Sequence, residues 1–161
     1  MCRFPADITA RGPFPSTKTA PGWVFFASPL HSRLDSNNQG FKMIKTIKDV
    51  VSFSNSRAEV ETYPTPAEKL VKGSPMQNAT THFEVDDKFF AGEWGAEVGC
   101  WKVTYTENEY FHILSGKSIL RDSRGNEIAL NAGDKACVPA GFEGEWEVIE
   151  PTQKIFVIYE P

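Results

Sequence analysis

From residue 81 onward the chain is written in short runs that alternate apolar and polar residues: THFEV, KFFAGEW, GCWKVTY, EYFHIL, KSILRD, EIAL, KACVPA, EWEVIE and KIFVIYE. Alternation with period two sends successive side chains to opposite faces of an extended strand, so each run predicts a strand with one buried face. Turn signals separate the runs. DSRGNE (122–127) predicts a hairpin with Gly125 and Asn126 at positive φ, and NAGD (131–134) and PAGFEG (139–144) predict two further turns. Evenly spaced short strands imply a sandwich or barrel, because closure or stacking is what hides the apolar face of every strand.

The chain before this region has a different texture. Residues 1–42 are rich in Pro, Ser and Gly, lack periodicity and hold too little apolar surface to offset the entropy of ordering, so they read as a disordered leader. Met43 opens a new pattern, MIKTIKDVVSFS, which makes a translated upstream segment one reading of the leader. A targeting peptide is the alternative, on the strength of Arg3, Arg11, Arg33, several serines and only Asp7 and Asp35 as acids. The spacing of Ile44, Ile47, Val50 and Val51 predicts a short helix, and PTPAEKLVKG (64–73) predicts one helical turn closed by Gly73. The expected division is therefore a leader over 1–42, an arm and first strands over 43–83, and a barrel over 84–161, with 43–161 forming one domain.

Composition narrows the function. A 161-residue chain that is 40% hydrophobic can build one real core but hardly two. With 17 basic against 21 acidic residues it has no positive surplus to hold a nucleic-acid backbone or an anionic membrane surface, so a small molecule or a protein is the expected partner. No apolar run approaches the length of a bilayer-spanning helix. Cys2, Cys100 and Cys137 are odd in number and show no C-x-x-C spacing, which speaks against a disulfide framework or a zinc knuckle and for a reducing, cytoplasmic setting. Neither Cys100 nor Cys137 has an adjacent His to activate it, and both are expected as buried thiols.

Two segments carry a family resemblance. ENEYFHILSG (107–116) and, after the hairpin, AGDKACVPAGFEGEW (132–146) resemble the two motifs of the cupin superfamily. Glu109 with Gly116 fits the E-x6-G half of the first motif, and Gly133, Pro139 and Gly141 fit the G-x5-P-x-G of the second. More narrowly, GEWGAEVGCW (92–101), EYFHILSG, and PAGFEGEWEVIEP with Lys154 near the end resemble the DUF861 or cupin_3 subfamily, which includes ureidoglycine aminohydrolase-like and ethanolamine-utilisation cupins. The resemblance spans about residues 84–159 and implies an all-β fold, a small antiparallel β-barrel or jelly roll, with the short helical arm and the leader in front of it. It also implies a homodimer, with the arm over 43–60 available to add a strand to a neighbour.

The family's metal set is missing here. Cupin metal sites take three His and one Glu, yet the two His positions of the first motif fall on Val103 and Tyr105, or on Lys102 and Thr104, and that of the second falls on Gly144. Period-two parity favours Val103 and Tyr105, which should face the interior with Trp101. The chain's histidines are His31, His82 and His112; His31 lies in the leader, and His112 has the parity opposite to Glu109 and belongs on the outer face. No metal site and no cofactor is expected, although a divalent ion held weakly at Glu109 stays open.

Glu109 is the candidate catalytic residue, a carboxylate expected at a barrel mouth as a general acid or base. Its alternative role is structural, tied down by Tyr105 or by backbone donors. Tyr105, Phe111 and Trp146 share its inward parity and are the candidate ligand-binding residues, as walls of an aromatic pocket, or else packing in the tapering interior. Trp94 and Trp101 read as structural anchors. Three functions fit: a cupin that binds a small polar metabolite in the barrel, a metal-dependent hydrolase or isomerase related to ureidoglycine aminohydrolase, and a structural or regulatory dimer with a filled interior.

Overall fold

The computed structural model describes residues 44–161. The leader over 1–42, with its upstream-segment and targeting readings, Cys2 and His31 lie outside the described residues. The short helix expected near residue 44 is replaced by two 3-10 turns, Ile47–Asp49 and Phe53–Asn55. The first is closed by a capping box in which Thr46 and Asp49 exchange side-chain and backbone hydrogen bonds. Ile44, Ile47 and Val50 are exposed, so the apolar spacing that suggested a helix has no surface to bury against, and a short β-branched segment does not hold a helix alone.

Residues 51–161 are built from antiparallel strands: β1 Glu61–Pro64, β2 Leu70–Lys72, β3 Met76–Val85, β4 Phe89–Ala96, β5 Gly99–Thr104, β6 Asn108–Asp122, β7 Glu127–Asn131, β8 Lys135–Val138 and β9 Glu143–Tyr159. No α-helix occurs among the described residues, and none is long and apolar enough to cross a membrane. Within the 64–73 segment expected to hold one helical turn, a hydrogen-bonded turn joins β1 and β2, Lys69 N donating to Pro66 O and Leu70 N to Ala67 O, and Gly73 follows β2 at φ 80°.

Two strands organise the rest. EYFHIL and KSILRD, expected as separate strands, run on as β6, and EWEVIE and KIFVIYE run on as β9. These two pair along their whole lengths, from Asn108 with Tyr159 to Asp122 with Gly144. The first half of β9 pairs β5 while its second half pairs β4, and the first half of β6 pairs β8 while its second half pairs β7. The long strands therefore pass from a β1-β3-β4-β9-β6-β8 sheet to a β2-β5-β9-β6-β7 sheet, turning a corner where the register shifts between Ile113 and Ser118. Gly116 makes the corner. It sits at φ 82°, and a Cβ there would fall on the Pro151 carbonyl, so only glycine lets the two bent strands close up.

The expected hairpin is present between β6 and β7, and Asp122 accepts from the backbone N–H of Arg124 and Asn126. Of the two residues expected at positive φ only Gly125 adopts it. Gly133 and Gly141 hold positive φ in the other two turns. Cys100 is buried as expected, and burial, then Glu145 and Glu147, push its thiol up to about 11. Cys137 is exposed, against expectation, because it shares the outward parity of its register partner Tyr110.

Candidate functional site

The inward parity read from the sequence puts one row after another inside the two sheets. Trp146 pairs Trp101 on one side and Leu120 on the other, Phe111 pairs Phe156, and Glu109 pairs Ile158. Trp146, Phe111, Phe156 and Ile113 are wholly buried, so aromatic and aliphatic side chains fill most of the interior. His112, of opposite parity to Glu109, faces out in the same row as Glu93 of β4.

Glu109 lies 5% exposed, and its Oε1 accepts from Lys154 Nζ at 2.5 Å. Lys154 belongs to β9, two residues before Phe156 and four before Ile158, so it shares their inward parity and is itself 5% exposed. Its ammonium rests against three rings, with centroids at 4.8 Å for Trp146, 5.0 Å for Phe111 and 5.1 Å for Trp94. Rings around a cation supply electrostatic attraction that partly replaces water. The rings brace one another edge to face, Phe111 on Trp146 at 5.5 Å and Trp94 on Trp146 at 5.8 Å.

Tyr105 closes the centre from the β5 side. Burial first, then the charge of Glu109 and a hydrogen bond to it, raise the Tyr105 phenol well above its ordinary range, so the phenol stays protonated and donates to the carboxylate. The candidate residues Tyr105, Glu109, Phe111 and Trp146 thus meet around one ion pair. Trp94, expected as an anchor, is part of the cage, and Trp101 packs against it at 6.2 Å.

Sequence reasoning missed Lys154 as the partner of Glu109. A lysine in a strand reads as a solvated charge, but its period-two spacing from Phe156 and Ile158 was the available signal. Glu107 was also passed over. It is buried at the same parity as Tyr105 and Glu109, and accepts from Thr106 N and Oγ1. Glu160, next to the end of β9, has its carboxyl raised by burial and then by the charge of Glu107.

A second layer of polar contacts supports Trp94. Its indole N–H donates to Gln77 Oε1 at 3.1 Å, Gln77 Nε2 donates to Thr65 Oγ1 at 2.7 Å, and Thr65 Oγ1 donates to the Pro75 carbonyl. The Tyr63 hydroxyl faces the same indole, but that N–H is committed to Gln77, which leaves Tyr63 Oη buried without a full partner. Burial pushes this phenol up to about 12. Trp146 Nε1 is also buried without a partner among the described residues.

Val103 and Gly144 stand at two of the positions where the cupin resemblance puts histidines. Val103 packs on the core opposite Gly144, and a Cβ built on Gly144 would fall on the Arg121 carbonyl, so no side chain fits there. Among the described residues no three His, Cys, Asp or Glu side chains are grouped to hold a metal ion.

Residues 83–156 match the family model described as the EutQ-like cupin domain, Cupin_3. No curated protein matches the chain. Among solved structures, the chain is similar to a DUF861-family protein of unknown function from Pseudomonas syringae pv. tomato, at 17% identity and TM-score 0.57 over 63% of this chain and 45% of that one. It therefore spans less than half the length of that protein. It is also similar to the EutQ protein of Clostridium difficile, at 16% identity and TM-score 0.50 over 61% of this chain and 80% of that one. A third likeness is to a predicted oxalate decarboxylase from Thermotoga maritima, at 16% identity and TM-score 0.51 over 70% of this chain and 99% of that one. At these identities the solved structures speak for the fold. The solved structures show the cupin fold, and within it residues 83–156 are similar to the EutQ-like cupin domain, Cupin_3.

Proposed function

We propose that this cupin binds a small polar metabolite in its barrel without a metal ion, and that the Lys154–Glu109 pair is the polar anchor. The observation that carries the reading is a single ammonium and carboxylate, joined at 2.5 Å and walled by Trp94, Trp146 and Phe111. A few convergent polar groups inside apolar walls are the usual make-up of a small-molecule site. The residues do not fit a divalent cation, because the Glu109 carboxylate is already paired with an ammonium that would repel one, and Gly144 has no room for a histidine. The hydrolase reading, which resemblance to ureidoglycine aminohydrolase-like cupins suggested, requires a metal and loses ground for that reason. The test is a thermal-shift screen of polar metabolites against the purified chain and its Glu109→Gln variant. Hits that vanish in E109Q support the reading, and a screen with no E109Q-sensitive hit refutes it.

A homodimer is the second reading, favoured by the outer face of the β3-β4-β9-β6-β8 sheet. Phe83, Ala91, Val157, Tyr110 and Cys137 are register neighbours across five strands and form an apolar row. Phe83, Phe89, Tyr110 and Tyr159 on this face are each more than a third exposed. Beside the row, Glu93 lies on β4 while His112 and Lys135 lie on β6 and β8. A two-fold axis along β9 would set Glu93 against His112 and Lys135 of the partner subunit, so the face is complementary to itself. Light scattering checks this: a dimer that Tyr110→Glu converts to monomer supports it, and a monomeric parent protein rules it out.

A further inference from the structure

We infer that assembly of this chain with a second copy of itself is proton-linked: the dimer tightens as His112 takes up a proton, because dimerisation sets each His112 against Glu93 of the partner subunit. This rests on the dimer reading above and names the regulation of that interface.

One row of the outer face runs Thr80, Glu93, Ile155, His112 and Lys135, across β3, β4, β9, β6 and β8. Ile155 stands between the acid and the bases, so within one subunit Glu93 and His112 are two strands, or about 10 Å, apart. Across that distance at an exposed face the carboxylate is largely screened from the imidazole. Lys135, by contrast, is the direct register partner of His112, and two like charges directly opposite one another are an unfavourable cross-strand pair. The lone subunit therefore offers a charged His112 an adjacent cation and no adjacent acid.

A two-fold axis along β9 changes this. It sets the row against the same row of the partner and exchanges β4 with β6, so a Glu93 carboxylate faces an imidazole on each side of Ile155. Water is partly excluded there, and opposite charges attract more strongly than on an open surface. The dimer gains an attraction that the monomers lack, and gains it only when His112 is charged. Imidazole is the side chain that ordinarily changes charge between pH 5 and 8. By linkage, the state that holds more protons is favoured as pH falls.

The other ionisable groups around the row are few. Tyr110 and Cys137 lie in the neighbouring row, and the row on the other side, Asn78, Gly95, Gln153 and Ser115, carries no charge. His82 reaches the same acid from its own subunit, with Nε2 3.5 Å from Glu93 Oε2 and its ring stacked on Phe53. A charge on His82 draws Glu93 back from the partner, so it opposes the effect of His112, and mutation tells the two imidazoles apart.

The test is sedimentation equilibrium of the whole chain at pH 8 and pH 6, at fixed ionic strength, for the parent, His112→Gln and His82→Phe. Two symmetry-related pairs, each worth about threefold, should lower the dissociation constant of the parent dimer about tenfold at pH 6 relative to pH 8. His112→Gln should dimerise equally at both pH values, with a dissociation constant close to that of the parent at pH 8. His82→Phe keeps the stack on Phe53 and removes the competing imidazole, so it should retain the full change. A parent dimer with the same dissociation constant at both pH values, or a change that survives in His112→Gln, overturns this inference and leaves the dimer reading standing. A parent that is monomeric at both pH values sinks the dimer reading itself, and this inference with it.

Discussion

Lys154 of β9 and Glu109 of β6 meet through their side chains although Lys154 is opposite Ile113 in the strand register and Glu109 is opposite Ile158. They reach toward each other along the barrel, past the intervening Phe111–Phe156 row. A cross-strand neighbour would link only one rung of the ladder, whereas this pair ties two rungs four residues apart.

Removing either partner of such a pair leaves a buried charge uncompensated, at a cost of about 3–5 kcal/mol. Lys154→Met and Glu109→Leu should each lose about that much in urea unfolding. The double variant should be markedly more stable than the sum of the single losses, since no lone charge remains. Additive losses in the double-mutant cycle would show that the pair is not coupled.

His82 is the extra residue of a β-bulge between Thr81 and Phe83, stacked on Phe53 with ring centroids 4.4 Å apart. Both its nitrogens are buried without a hydrogen-bond partner, and the nearest acid, Glu93, stands 3.5 Å away and is half exposed. Replacing the ring with Phe keeps the stack and removes the unmatched polar atoms. His82→Phe should therefore gain about 1 kcal/mol in stability, read by chemical denaturation at pH 7.5. A loss of stability would show that contact with Glu93 outweighs the unmatched nitrogens.

The two thiols of the described chain should differ in reactivity. Cys137 is exposed, while the Cys100 thiol is buried, 3.8 Å from Glu145 Oε2, and pushed up to about 11. Thiolate is the reactive form. Mass mapping after brief iodoacetamide treatment at pH 8 should find Cys137 alkylated and Cys100 intact, and Cys100 should react only once urea unfolds the barrel. Alkylation of Cys100 at a rate close to that of Cys137 in native protein would contradict the burial of Cys100.

The alternating pattern made much of this legible, because strand parity depends only on counting by two. Tyr105, Glu109, Phe111 and Trp146 were assigned to one face on that basis, and the sheets bring them together. The corners were not legible. Ser115-Gly116 and Glu150-Pro151 look like strand ends in one dimension, yet the chain bends there and continues pairing, so β6 and β9 each read as two strands. Lys154 was hidden for a different reason: a lysine is assigned to water unless its neighbours two apart are weighed, and what compensates it, a carboxylate and three rings, comes from β4, β6 and β9. Contacts of that separation are invisible to local spacing.

Alkaline titration tests the Tyr105 assignment. Its phenol is raised well above the ordinary value by burial, then by Glu109, and Tyr63 is raised to about 12. A phenol whose folded pKa exceeds its unfolded pKa, near 10, contributes its full stabilisation below pH 10 and loses it as pH rises toward the folded value. Absorbance at 295 nm should therefore show two groups of tyrosines, with Tyr105 ionising only as the barrel unfolds. In Tyr105→Phe the late-ionising amplitude should shrink. An unchanged amplitude would place Tyr105 in contact with water.

Gly144 offers a direct trial of the proposal that the barrel holds no histidine ligand at this position. It stands at the family's second-motif histidine position, between Val103 of β5 and Asp122 of β6, and a Cβ on it would fall on the Arg121 carbonyl. That carbonyl belongs to backbone in the β6–β9 ladder, so it cannot swing away as a flexible side chain would. Even Gly144→Ala must part the strands, at a cost of about 1–3 kcal/mol, and Gly144→His must cost more. If the histidine were missing only because its ligand partners were lost, Gly144→His would be tolerated and would recruit zinc in a titration followed by calorimetry. The close approach of the strands predicts the opposite, a destabilised protein with no stoichiometric zinc. The alanine variant shows whether the backbone clash alone accounts for the loss, independent of anything imidazole brings.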